Sequence, residues 1–273
     1  MTGRSDGSVG VIIPTYERVE PTLQAVRSAL DQTRPPAAIV VVDDGSGPGV
    51  VDRLTQGLSA LPVTFIKAAR TSHPGRVRNH GLATLDTEWV AFLDSDDTWL
   101  SSKLEVQMEL ATRRGSSAVY TGAHRVVSGE VAGLVSAGLP SGLRFQDLVR
   151  SNLILNSSVL VRRAVLDRVS GVAESYVVRG CEDYATWLRI ASFTNWVGTP
   201  EPLVRYNDEV LEGIRGTEQQ THHPAREAAW LDYIAWRQRS GQETRLSGRV
   251  LRRVLPLALT LDARRWRGRS GAA

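Results

Sequence analysis

Three aspartates fall within four positions, Asp94, Asp96 and Asp97, directly after the apolar run Val90-Ala91-Phe92-Leu93. Like charges this close repel one another unless a cation or hydrogen-bond donors compensate them. The Asp94-Ser95-Asp96 spacing sets two hard oxygen ligands where they can share one divalent ion, with coordination places left for phosphate oxygens. A solvated turn leading into a helix over 100–114 accounts for the same residues without chemistry. The choice depends on what else converges on them.

Two more polar loops follow apolar runs. Val9–Pro14 leads into Thr15-Tyr16-Glu17-Arg18, and Ala38–Val42 leads into Asp43-Asp44-Gly45-Ser46. Asp and Gly are ordinary turn residues, so the second loop alone is weak evidence. Its functional reading is a carboxylate for ribose hydroxyls or a base edge. Between the runs lie helical patterns over 20–33 (Leu23, Val26, Ala29, Leu30), 50–58 and 75–85, and further strands at 63–67 and 89–93. This alternation predicts an α/β fold with a parallel sheet and right-handed crossovers. All three polar loops then share the carboxyl edge of the sheet, where open α/β folds bind ligands. Three unrelated turns explain the pattern less economically than one site.

The stretch Gly75-Arg76-Val77-Arg78-Asn79-His80-Gly81 adds groups that can bind phosphate. Arg76 and Arg78 lie two apart on a helix and point in different directions, so at most one faces a ligand. Further on, Glu182 and Asp183 precede a helical pattern carrying Trp187, Leu188 and Ile190. Acidic residues there complement the helix dipole. They also suit a general base that takes a proton from an attacking hydroxyl. Trp187 reads as core, and the lone Cys181 as a small packing residue.

Composition narrows the class. The 273 residues can bury a substantial core, and the ordinary apolar and charged content excludes wholesale disorder. No apolar run approaches the roughly 18 residues of a membrane span, and the N-terminus lacks a signal peptide's apolar segment, so a cytoplasmic protein is expected. One cysteine excludes an internal disulfide and a cysteine-cluster metal site. The net charge of +4 is carried almost wholly by arginine, Lys67 and Lys103 being the lysines. No nucleic-acid partner is expected.

The ordered set IIPTYER, VVDDGS, GRVRNHG and FLDSDDTW resembles the family 2 glycosyltransferases, whose fold is GT-A. Glu17 stands where that family usually has Asn, and Val77 where it usually has Ala. The resemblance implies a Rossmann-like, mostly parallel central sheet flanked by helices, with a C-terminal helical segment. Residues 1–114 would form the nucleotide-sugar half, 115–224 the acceptor and base half of the same domain, and 225–273 a helical extension. Pro14, Thr15, Tyr16, Glu17 and Asp44 would line the nucleobase pocket, with Arg78 near the base or the diphosphate. Asp94 and Ser95 would hold ribose or the metal's water shell. Asp96 would be the direct ligand of Mn²⁺ or Mg²⁺ and Asp94 the second, while Asp97 caps the next helix. Asp183 would be the general base of an inverting transfer from a UDP-linked donor, with Glu182 supporting it. The acceptor (glycan, lipid carrier, peptide or small natural product) stays open.

The second half carries fewer signals. Strands are expected at 118–127 and 156–161, a hairpin or loose connection over 128–142, a short helix at 145–152, and loop then strand over 196–206. Asn156 and Ser157 read as turn and strand edge, with a donor-sugar contact as the alternative. The family's His after the last strand is replaced by Tyr206-Asn207-Asp208, leaving Asn207, Asp208 or the His222-His223 pair to complete a metal site. Residues 209–224 suit a mobile lid and 225–239 a helix. The basic amphipathic stretch 246–267 suits packing on the domain, a homo-oligomer contact or peripheral membrane contact. A nucleotidyltransferase is the nearest enzymatic alternative, but those open with a Gly-rich loop after the first strand, and residues 15–18 contain no glycine. A non-catalytic nucleotide-sugar binder is the alternative from another class.

Overall fold

The computed structural model describes residues 7–208 and 222–241. The expected amphipathic stretch at 246–267 and most of the expected lid at 209–224 lie outside the described residues.

Strand β1 (Val9–Thr15) is followed by helix α1 (Glu20–Leu30), β2 (Ala38–Asp43), α2 (Pro48–Leu58), β3 (Thr64–Lys67), α3 (Pro74–Thr84) and β4 (Trp89–Phe92). β2 and β4 flank β1 and β3 flanks β2, all parallel. Along β1 the side chains alternate between faces. Val11 and Ile13 pack with Leu23, Val26 and Leu54 of α1 and α2, whereas Ile12 packs with Val77 and Leu82 of α3. Burial on both faces is why these strands read as unbroken apolar runs.

The second half adds β5 (Thr98–Trp99), α4 (Lys103–Arg114), β6 (Ala118–Val127), β7 (Glu130–Leu134), β8 (Gly142–Leu143), α5 (Phe145–Arg150), β9 (Leu160–Arg162), α6 (Arg163–Arg168), α7 (Glu182–Ala191), β10 (Trp196–Asn207) and α8 (His222–Ser240). The sheet continues from β4 through β9, β6 and β10 to β5. β9 runs antiparallel to both β4 and β6, so the sheet is mixed beyond β4. The start of β9 therefore reaches the edge at which β1, β2 and β4 end.

Three details differ from the sequence reading. Residues 156–158 form a 3-10 turn, and the strand begins at Leu160. Residues 196–207 form one strand, irregular around Pro200 and Pro202, whose missing amide donors interrupt its pairing with β6. His222 and His223 open α8 instead of lying in a loop. The connection over 128–142 contains a hairpin, β7 pairing antiparallel with β6.

Candidate active site

The site begins at the carboxyl ends of β1, β2 and β4. The amide of Asp44 donates to Thr15 O over 2.9 Å, and that of Leu93 donates to Ile12 O over 3.0 Å, which locks the three loops in register. Gly45 has φ of 73°, and a Cβ there would stand 2.7 Å from the Arg70 amide nitrogen, so only glycine suits this turn.

In the first loop, Thr15 is buried and its hydroxyl bonds Thr22 Oγ1 at 2.7 Å. The exposed Tyr16 ring lies under the Arg70 guanidinium, 3.2 Å from ring centroid to guanidinium carbon. Glu17 adopts φ of 54°, a left-handed conformation that Asn tolerates better than Glu. It is held by Gly47 N donating to its carboxylate at 2.6 Å and by its own amide donating to Ser46 Oγ at 2.8 Å. Asp44 is buried and accepts from Thr71 N (2.7 Å), Thr71 Oγ1 (2.8 Å), Ser72 N (2.9 Å) and Arg70 (3.2 Å). Its carboxylate thus organises loop 70–72.

The acidic loop is held differently at each carboxylate. Asp94 pairs with Arg78 Nη2 at 2.7 Å and accepts from Asn156 Nδ2 at 2.8 Å. Asp96 pairs with Arg18 Nη1 at 2.8 Å. Asp97 accepts from Ser157 Oγ at 2.5 Å and from the Asn207 amide at 3.0 Å. Asp97 is therefore not a helix cap: α4 begins after Ser102, and Asp97 is a buried anchor for the end of β10. Ser95 is also buried. Burial raises the pKa of Asp96, Arg18 lowers it and Asp94 raises it again, leaving it above the ordinary carboxylate range. Asp97 is pushed well above that range, first by burial and then by its neighbours Asp96 and Asp94. The loop concentrates negative charge that a cation would relieve.

Asn156 and Ser157 stand in the turn before β9, and both bond the acidic loop. Ser157 Oγ accepts from the Asp94 amide at 3.0 Å while donating to Asp97, and its carbonyl accepts from Trp99 Nε1 at 2.8 Å. The antiparallel course of β9 delivers this turn to the acidic loop.

Helix α3 joins this wall to the helix bearing the expected base. Arg78 is buried, and its Nη1 donates to Glu182 Oε1 at 2.6 Å while Nη2 donates to Asp94. Burial alone would lower its pKa, but Asp94 and Glu182 outweigh that and raise it, so it stays charged. Arg76 points away, its guanidinium 5.4 Å from the Tyr176 ring centroid. Asn79 grips the chain before α7 twice, donating to Val172 O at 2.9 Å and accepting from Val172 N at 2.9 Å. The buried His73 donates through Nε2 to Ser175 O at 3.0 Å, because its Nδ1 already accepts from Gly75 N at 3.2 Å. The sequence reading missed Asn79, His73 and Arg18. Their signal was limited to position, within or beside loops already singled out.

Glu182 also accepts from Gly180 N at 2.8 Å, and Asp183 accepts from Tyr184 N at 2.7 Å. Glu182 is buried and Asp183 partly exposed, which separates a structural acid from one a substrate can reach. Burial and then the nearby acids push the Cys181 thiol up to about 12, so it stays protonated. Asp208 turns to Arg125, which donates at 2.6 Å, and Asn207 meets the acidic loop through its amide.

Among the described residues, no group of three or more His, Cys, Asp or Glu side chains is arranged to cage a metal. Asp94 and Asp96 instead offer the one or two carboxylates by which a Mg²⁺-type ion is commonly held together with substrate phosphates. The donor set fits an ion that arrives with phosphate, not a closed protein cage.

The glycosyl transferase family 2 model matches residues 10–145, which carry both the Asp44 and the Asp96 loops. TuaG of Bacillus subtilis, a glycosyltransferase named for teichuronic acid biosynthesis, is 30% identical over 203 residues, covering 72% of this chain and 78% of TuaG. This chain belongs to glycosyltransferase family 2. The Escherichia coli WfgD, named a UDP-Glc:α-D-GlcNAc-diphosphoundecaprenol β-1,3-glucosyltransferase, is 26% identical over 70% of the chain and 72% of its own length. An uncharacterized glycosyltransferase of Rickettsia conorii is 29% identical over 73% of the chain, yet the match spans about a third (32%) of that longer protein. The crystal structure of S. aureus TarS 1-349 with UDP-GlcNAc superposes with a TM-score of 0.65 at 18% identity, covering 82% of this chain and 66% of that one. The fold is that of the GT-A glycosyltransferases, as the motifs imply.

Proposed function

We propose that this family member transfers a sugar from a UDP-linked donor to an acceptor hydroxyl with inversion, using Asp183 as general base. The observation that carries this reading is the Asp94–Arg78–Glu182 bridge, which fixes the base helix to the acidic loop. Nucleobase and ribose would lie along Pro14, Thr15, Tyr16, Glu17 and Asp44, with Asp94 and Ser95 beyond them. Arg70 and loop 70–72 would complete the pocket. TarS has been crystallised with UDP and with UDP-GlcNAc, which supports a uridine donor here.

Asp183 would take the proton of the acceptor hydroxyl as its oxygen bonds the anomeric carbon. The bond from that carbon to the diphosphate oxygen breaks, and its electron pair leaves with UDP. Glu182 is held by Arg78 and positions the first turn of α7 rather than moving a proton. Asp96, with Asp94, would hold Mn²⁺ or Mg²⁺, which supplies positive charge for the departing diphosphate. The name of WfgD makes a lipid-diphosphate-linked sugar the first acceptor to try. No helix among the described residues is long and apolar enough to cross a membrane.

The test is Asp183→Asn. UDP-sugar should raise the melting temperature of the variant as it does for the wild type, because a ligand bound only to the folded state stabilises it. Sugar transfer, followed by mass spectrometry of the acceptor, should be abolished. Transfer at the wild-type rate would remove Asp183 from the role of base.

A further inference from the structure

Two arginines meet the acidic loop, and they are held in different ways. Arg78 is locked between Asp94 and Glu182 with 6% of its side chain exposed. Arg18 reaches across from the β1–α1 loop to Asp96, and both side chains of that pair are 27% exposed. Its backbone is pinned, since the Thr22 hydroxyl donates to Arg18 O at 2.6 Å and itself accepts from the Thr15 hydroxyl. The guanidinium is at the end of a long side chain on this fixed root. Partly exposed pairs are held by only about 1 kcal/mol, so such a contact exchanges readily for a better one.

Asp96 is also the carboxylate that the reading above assigns to the cation. The Arg18 guanidinium stands 2.8 Å from Asp96 Oδ2, so a divalent ion that took this oxygen would compete with it. We propose that Arg18 is a resident counter-ion of Asp96 that a divalent cation carried on a nucleoside diphosphate displaces. The cation alone must remove Arg18 from Asp96 and forfeits that ion pair. A cation that brings a diphosphate supplies a new anion within reach, and arginine forms strong charge-assisted contacts with phosphate. The consequence is coupling: metal and nucleotide each bind better in the presence of the other, by the same factor. Arg18 thereby selects against a cation that arrives alone.

This inference rests on Asp96 as a metal ligand, and the experiment separates the two. Free Mn²⁺ is titrated by electron paramagnetic resonance against the wild-type chain and the Arg18→Gln chain, each with and without UDP. In the wild type, UDP should tighten Mn²⁺ binding about tenfold or more. In Arg18→Gln, Mn²⁺ alone should bind about fivefold more tightly than to the wild type, and the gain from UDP should shrink. Arg18→Lys, which keeps the charge, should stay near the wild type, and gives a second comparison if the Gln variant folds poorly. Asp96→Asn should lose tight Mn²⁺ binding in either background. Unchanged or weaker Mn²⁺ affinity in Arg18→Gln, with the UDP-dependent binding intact in the wild type, overturns the role of Arg18 and leaves the metal site standing. Absence of Mn²⁺ binding to the wild type with UDP overturns both.

Discussion

Arg78 Nη1 stands 2.6 Å from Glu182 Oε1, across 104 residues of sequence, while Nη2 of the same guanidinium stands 2.7 Å from Asp94. One planar cation thus spans two acids from separate elements, a geometry suited to the fork of arginine and not to the single ammonium of lysine. Arg78→Ala leaves Glu182 and part of Asp94 without a counter-charge. Breaking a buried pair from one side costs about 3–5 kcal/mol. Urea unfolding should show a loss of that order, and Arg78→Lys should recover only part of it.

Gly75 and Asn79 set the distance between α3 and the chain leading to α7. A Cβ at position 75 would stand 2.1 Å from the carbonyl oxygen of Ala173, with no flexible side chain to yield. Gly75→Ala should therefore displace segment 172–175 and lower both the melting temperature and the rate of transfer. Asn79→Ala strands a backbone donor and acceptor at Val172, at about 1–3 kcal/mol for each group left buried and unpaired. Amide exchange at Val172 should speed up in that variant.

Ser157 joins the acidic loop from the far side. Ser157→Ala removes the acceptor of the Asp94 amide and the donor to Asp97. Loss of the donor makes ionised Asp97 less favourable in a site already crowded with negative charge. The variant should stay folded and bind UDP more weakly, as read by calorimetry.

Lys103 gives a pH prediction. It is fully buried, donates to Gln107 Oε1 at 2.8 Å and stands 3.9 Å from the Trp99 ring centroid. Burial pulls its pKa well below that of a free lysine, 10.5. Between the lowered value and 10.5 the unfolded chain holds the proton more tightly than the folded one, so this residue's contribution to stability rises with pH. The wild type should therefore gain stability relative to Lys103→Met as pH climbs from about 8 to about 10, followed by chemical unfolding at each pH.

Chelation tests the cation. Transfer activity should fall to background in excess EDTA and return with Mn²⁺ or Mg²⁺. Activity unchanged by the chelator would leave Asp94 and Asp96 as donor-binding acids without a metal.

The parallel half of the fold was legible because β1, β2 and β4 are buried on both faces and so appear as apolar runs ending in polar loops. The two-residue strands β5 and β8 carry no such pattern, because they exist only through pairing with β10. Asp97 looked like a cap because its partners, Ser157 and the Asn207 amide, lie 60 and 110 residues away. Arg18 carried no signal of its own for the same reason: Asp96 is adjacent only after β1 and β4 have paired. Residue types singled out Asp94, Asp96 and Arg78, whereas the partners of the acidic loop depend on how β9 and β10 return to the edge.

The antiparallel entry of β9 has an evolutionary consequence. β6 and β9 are antiparallel, so β6 runs toward the rim where β9 begins, and residues 128–155 form the excursion that joins them. The family match ends at residue 145, inside that excursion. Its later part is built into the domain, since β8 pairs with β10 and Phe145 and Leu148 are buried, whereas the β7 hairpin is exposed along its length. Change in length is therefore tolerated most readily at that hairpin, which leaves Asn156 and Ser157 in place against the acids.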